Sequence, residues 1–270
     1  MSTRFQGRIV VVTGASSGIG RETALAFARV GARVTLASRN AAQLRELVDS
    51  HPDLRDCLLA VPTDVTKQED VERLFSTVMT QFGRVDILVN NAGIGLRATV
   101  AATRFEDAQR VMEVNFFGAL RCIQAVLPRM KRQAPISPRG PRAQIVNVGS
   151  ILSVVATPHN SLYSASKFAL RALSDSLRIE LKPDAIDVIL IMPGYTDTPF
   201  FDSLIRYGGP PRITSIKGQH PSHVARAIVR ACDRRKREVV LTVPGILGVW
   251  MKRWLPRVLD WGLARTRHKP

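Results

Sequence analysis

The stretch Ile9-Val10-Val11-Val12-Thr13-Gly14-Ala15-Ser16-Ser17-Gly18-Ile19-Gly20 decides how this chain is read. Its four apolar β-branched residues make the continuous run that a parallel strand buried on both faces requires. The run feeds a turn carrying three glycines, then a helical pattern in which Leu25, Phe27, Ala28 and Val30 supply apolar positions until Gly31 ends it. In that context Gly14 permits the tight turn, Gly18 lets backbone approach a pyrophosphate, and Gly20 lets the helix pack close to the strand. The helix N-terminus then favours the phosphate charge.

Working outward, a second strand from Arg33 to Ala37 ends at Ser38-Arg39-Asn40, where a dinucleotide fold reads the adenosine ribose. An acidic residue there would accept from the 2′-hydroxyl of NAD; Ser38 followed by the Arg39 guanidinium suits a 2′-phosphate instead, so NADP(H) is favoured over NAD(H). Asn40 with Gln43 reads as an N-cap for a helix to about Ser50, Thr66 with Glu69 as a capping box for a helix to about Phe82, and Thr103 with Glu106 as another. The last of these opens a long helix running to about Lys131, with Asn115 on its apolar side as a hydrogen-bonded polar plug. Strands are expected at 57–62, 86–89, 144–150, 186–192 and 239–243. Helices separate most of them, which predicts one α/β, doubly wound Rossmann-type domain with a parallel seven-stranded sheet over residues 1–244. Small polar residues keep arriving at strand carboxyl ends, as in Asp64-Val65, Asn90-Asn91-Ala92-Gly93, Ser150 and Pro193-Gly194.

Tyr163 and Lys167 lie four apart on a predicted helix over 162–181, hence on one face. An ammonium beside a phenol lowers the phenol's pKa, and such a Tyr exchanges protons with a reacting oxygen.

Taken together, Thr13-Gly14-x-x-x-Gly18-x-Gly20, Asp64, Asn90-Asn91-Ala92-Gly93, Asn115, Ser150, Tyr163-x-x-x-Lys167 and Pro193-Gly194 resemble the short-chain dehydrogenase/reductase family from about residue 5 to 245. The resemblance implies an oxidoreductase with Tyr163 as general acid and base, Lys167 tuning it and bonding the nicotinamide ribose, Ser150 bonding the substrate oxygen, and Asn115 holding a water that links Lys167 to solvent. It places the cofactor against Gly14, Ser16, Ser17, Gly18, Ile19, Gly20, Ser38, Arg39, Asp64, Val65, Asn91, Ala92, Gly93, Tyr163, Lys167, Pro193, Gly194, Thr196 and Thr198. No metal is implied. A homodimer or homotetramer formed through the helices of Asn115 and Tyr163 is.

Phe200, Phe201, Leu204, Ile205 and Tyr207 suggest an apolar substrate lid over 198–219 with Gly208-Gly209 as its hinge, and so a hydrophobic ketone, aldehyde or alcohol as substrate. The alternatives are a 3-oxoacyl-carrier-protein reductase and a non-catalytic dinucleotide-binding scaffold or redox sensor.

Of the net charge of +17, residues 129–142 carry +5 and residues 230–270 carry +8. The excess belongs to a Pro-rich basic loop and a tail, without the motifs or interleaved aromatics of a nucleic-acid binder. Cys57, Cys122 and Cys232 are too scattered for a disulfide framework. With no leader read before the first strand and no apolar run of 18 residues, a cytoplasmic protein is expected. In the extension 245–270, Ile246, Leu247, Trp250, Met251, Trp254, Leu255, Val258, Leu259 and Trp261 recur at helical spacing among Lys and Arg, interrupted by Pro256. Such a tail reads either as a helix docked on its own domain or across a subunit contact, or as a peripheral membrane or acidic-partner surface.

Overall fold

A computed structural model describes residues 5–135, 140–207 and 218–265. The long apolar runs of the sequence become a seven-stranded sheet in the order β3-β2-β1-β4-β6-β7-β9, every neighbouring pair parallel. Its strands are β1 (Ile9–Thr13), β2 (Arg33–Ser38), β3 (Leu58–Pro62), β4 (Ile87–Asn90), β6 (Ala143–Val148), β7 (Ile186–Met192) and β9 (Glu238–Val240). Short β5 (Leu96–Ala98) and β8 (Ile205–Tyr207) pair separately. The helices are α1 (Gly18–Ala28), α2 (Ala41–Asp49), α3 (Gln68–Phe82), α4 (Phe105–Met112), α5 (Gly118–Arg132), α6 (Ser161–Glu180), α7 (Pro221–Asp233), α8 (Val243–Trp254) and α9 (Pro256–Arg265).

Alternation along the buried strands divides the core in two. Val10, Val12, Leu36, Val89, Val146 and Ile191 pack toward α1, α2 and α7; Ile9, Val11, Leu88, Ile145 and Val188 pack toward α3, α5 and α6. Most of these side chains are fully enclosed, each stabilising the fold by about 1.5–3 kcal/mol. Strand order reverses between β1 and β4, which opens a crevice at their carboxyl ends.

Asn40 caps α2 as read, its side chain accepting from the Gln43 amide at 3.1 Å. The other two expected capping boxes do not form. Thr66 donates instead to Asp64 Oδ1 at 2.8 Å, and α3 begins one residue later, with Lys67 at its N-cap. Thr103 donates to the Thr99 carbonyl, leaving Arg104 at the α4 N-cap. In both places the Thr hydroxyl is turned to donate to a nearby oxygen upstream and accepts from no helix amide. The long helix through Asn115 runs on to Arg132 as read, with a π turn at Glu113–Phe117 between α4 and α5 that the sequence did not show. The basic loop is described only in part, since Pro138 and Arg139 lie outside the described residues.

Candidate active site

The glycine turn is built as the sequence requires. Gly14 and Gly18 hold φ of +65° and +54°. A Cβ on Gly14 would stand 2.9 Å from the Ala92 Cα, and one on Gly20 would stand 2.1 Å from the Gly14 carbonyl oxygen, so both positions exclude any side chain. At the α1 N-terminus Ser17 makes no side-chain cap, and the first turn carries no acid. Amides there are free to meet a phosphate. The donor set and the open cradle therefore fit a dinucleotide.

The neighbouring turn is stapled to it. Thr13 Oγ1 accepts from the Asn91 and Ala92 amides at 3.0 and 3.1 Å, and Asn91 Nδ2 donates to the Thr13 carbonyl at 2.9 Å. On the adenosine side Ser38 donates to Ser16 at 2.9 Å, tying the β2 end to the glycine turn. Arg39 is exposed beside them. Asp64 caps the turn into α3 by accepting from Thr66, and Val65 is buried against Gly118.

At the far end, Ser150 is held by reciprocal bonds: its hydroxyl accepts from the Leu152 amide, and its amide donates to Ser153, each at 3.1 Å. The Ile151 amide donates to the Pro193 carbonyl at 2.9 Å, which fastens this turn to the loop after β7. In that loop Thr196 donates to the Gly194 carbonyl, and Thr198 lies over Gly18, whose added Cβ would be 3.1 Å from the Thr198 Cβ.

Lys167 is buried, and its Nζ donates to the Val148 carbonyl at 2.9 Å. Burial pushes its pKa down to about 8. The ammonium stands 5.8 Å from the centre of the Tyr163 ring. Burial pushes Tyr163 up to about 12, opposed by a hydrogen bond with Ser150. The expectation that Lys167 lowers the phenol's pKa is thus reversed in this geometry: helical spacing puts the two on one face, but the ammonium turns to the strand carbonyl and desolvation dominates.

Asn115 is as sequence reading placed it, buried and braced. Its Oδ1 accepts from the Ile94 amide at 2.8 Å, and its Nδ2 donates to the Ile94 carbonyl and to Ser166, each at 3.0 Å. Both ends of the amide are therefore engaged and the side chain is fixed in place. Gly93 keeps open the small space beside it, where a Cβ would be 3.1 Å from Asn115 Oδ1 and 3.7 Å from Lys167 Nζ.

Over Tyr163 lies the apolar segment that the sequence reads as a lid. The Phe200 ring is 5.9 Å from that of Tyr163, and Leu204 and Phe200 close on Gly95. The lid's base is clamped by reciprocal backbone bonds, Asp197 to Gln219 and Gln219 to Tyr195, each 3.0 Å. Its proposed hinge, Gly208-Gly209, lies outside the described residues. Sequence reading missed the pairing of β5 with β8, which sets Arg97 opposite Arg206 beside this lid. Three-residue strands carry too short a pattern to show it.

Comparison with known proteins agrees with this architecture. The family described as short chain dehydrogenase matches residues 8–206. A "Dehydrogenase/reductase SDR family member 7B" from Rattus norvegicus is 35% identical, covering 94% of this chain and 79% of the relative. A Burkholderia phymatum short chain dehydrogenase/reductase in complex with NAD superposes with a TM-score of 0.82 at 25% identity, over 98% of each chain. An alcohol dehydrogenase from Thermococcus sibiricus complexed with 5-hydroxy-NADP reaches 0.75 at 29% identity, over 87% of this chain and 96% of the other. Likeness along nearly the whole length, centred on the same crevice, means that this chain belongs to the short-chain dehydrogenase/reductase family, oxidoreductases acting on CH–OH and C=O groups with a nicotinamide dinucleotide.

Proposed function

We propose that the protein interconverts a hydrophobic ketone or aldehyde and its alcohol, using NADP(H), with Tyr163 as the acid and base. The observation that carries this reading is the convergence of Ser150, Tyr163 and Lys167 beneath an aromatic lid. The dinucleotide, when bound, supplies or accepts the hydride. Ser150, fixed by its own turn, holds the substrate oxygen against the Tyr163 hydroxyl, which gives its proton as charge develops on that oxygen. Gly93, Asn115 and Lys167 come together beside this pair, the group through which the proton would be resupplied from solvent. Phe200, Phe201 and Leu204 form an apolar wall, which favours a lipid-like or steroid-like carbonyl compound.

Related structures hold either NAD or an NADP derivative, so the NADP(H) assignment rests on Arg39. Assembly into a homodimer or homotetramer is supported by exposed Phe105, Phe117 and Phe168 on the segment of α4, the π turn and α6. A second reading, a 3-oxoacyl-carrier-protein reductase, draws support from Arg97 and Arg206. These two guanidiniums lie opposite each other by the lid, and neither forms an ion pair among the described residues, which suits an anionic carrier.

Absorbance at the nicotinamide band, followed with NADPH or NADH against a panel of ketones and acyl thioesters, tests both. Tyr163→Phe should lower kcat about 10²–10⁴-fold with cofactor affinity kept. Full turnover by that variant would refute the assignment.

A further inference from the structure

The two C-terminal helices present an apolar surface that the catalytic fold does not use. On α8, Val243, Ile246, Leu247, Trp250 and Trp254 are all more than half exposed. Their spacing of i, i+3, i+4, i+7 and i+11 sets them on one face. The opposite face, with Gly245 and Gly248, is the one against the body. A Cβ on Gly245 would be 3.1 Å from Ile151 and from Val240, and one on Gly248 would be 3.6 Å from Val155. Around the break at Pro256, Leu255 and then Val258 and Trp261 of α9 are exposed as well, each between 44 and 58%. The expected helix docked on its own domain is therefore only half realised: one face docks and the other does not.

The charges bordering this surface are basic. Arg253 lies over Trp254 and Arg265 over Trp261, with guanidinium-to-ring distances of 5.4 and 3.6 Å. Arg257 stands exposed between them, and the one acid of the two helices, Asp260, is 3.7 Å from Lys252. Residues 266–270 add Arg267 and Lys269 in sequence. Tryptophans rimmed by arginines match the two layers of a membrane interface, where indoles enter the headgroup boundary and cations remain with anionic phosphates. A second copy of this chain fits less well, because it would bring the same basic rim against itself in a protein of net charge +17. No helix among the described residues is long and apolar enough to cross a membrane, so the contact is with one leaflet surface.

We propose that α8 and α9 form a platform that docks on an anionic lipid surface. The platform packs on Ile151, next to Ser150, so docking places the mouth of the catalytic crevice close to the leaflet from which an apolar substrate would come. Docking itself does not depend on which substrate the enzyme takes.

The test uses the full chain with vesicles of pure phosphatidylcholine and vesicles containing phosphatidylglycerol. The wild type should co-sediment with the anionic vesicles at low salt, be released by high salt, and show tryptophan fluorescence quenched by brominated acyl chains. Trp250→Ala/Trp254→Ala/Trp261→Ala and, separately, Arg253→Glu/Arg257→Glu should each weaken binding at least tenfold, with turnover of a water-soluble ketone unchanged. If the wild type stays in the supernatant with anionic vesicles, the proposal fails. It fails equally if brominated lipid leaves the fluorescence untouched, or if the tryptophan variant only dissociates an oligomer. Because quenching is read on the wild type, a variant that did not fold would not obscure the answer.

Discussion

Lys167 shows how little the spacing of two residues says about their charges. Its Nζ donates to the Val148 carbonyl, and its burial holds its pKa near 8 instead of the ordinary 10.5. A base whose folded pKa is depressed costs stability while charged, and that cost is relieved as pH rises from about 8 to 10.5. The gap of 2.5 between 10.5 and 8 corresponds to on the order of 3 kcal/mol. Denaturant titrations at pH 7 and pH 10 should therefore show wild type gaining relative to Lys167→Met by that order. An equal pH response in both would show that Lys167 titrates normally. Arg39 offers a separate check. If it meets a 2′-phosphate, Arg39→Asp should raise the KM for NADPH by roughly 10- to 100-fold, the equivalent of a lost charge-assisted bond, while leaving or improving that for NADH. Unchanged KM for NADPH would mean that the guanidinium is a solvated loop charge.

At the scale of elements, the site is held by short polar joints between strand ends. Thr13 joins the first and fourth strands, Ser38 joins the second to the glycine turn, and Asn90 donates to Asn147 at 2.9 Å across β4 and β6. Helix starts follow the same local competition. Asn40 caps α2, so Asn40→Ala should lower the midpoint of thermal unfolding with a loss of about 1 kcal/mol. Thr66→Ala should instead disturb Asp64 and the adenine side, read as weaker cofactor binding. An effect of Thr66→Ala confined to stability would restore it as an ordinary cap. The π turn around Asn115 was beyond sequence reading, since the apolar spacing through Met112 and Leu120 fits an uninterrupted helix. One extra residue per turn changes which side chains point inward without leaving a mark in composition.

For the whole molecule, the exposed apolar residues fall into two groups, one of them bordered by the basic residues of α8 and α9. The other group, Phe105, Phe117, Phe168 and Ile179, lies on α4, the π turn and α6. If the latter group joins subunits, Phe168→Asp/Ile179→Asp should shift the protein to monomer in sedimentation velocity. The tryptophan substitutions in α8 and α9 should leave the assembly unchanged. A wild type that is already monomeric at micromolar concentration would rule out the assembly.

The sequence by itself determined the parallel sheet, the phosphate turn and the order of the site residues along the chain. These depend on local terms: β-branched runs, glycine dihedrals, and spacing that repeats with the period of a helix or strand. Tertiary structure alone decided that Lys167 faces a strand carbonyl, that Asn115 braces Ile94, that Arg97 meets Arg206, and that α8 docks by one face only. Each of those is a meeting of residues distant in sequence, settled by which polar group found the nearest unsatisfied partner and which apolar face was left without one.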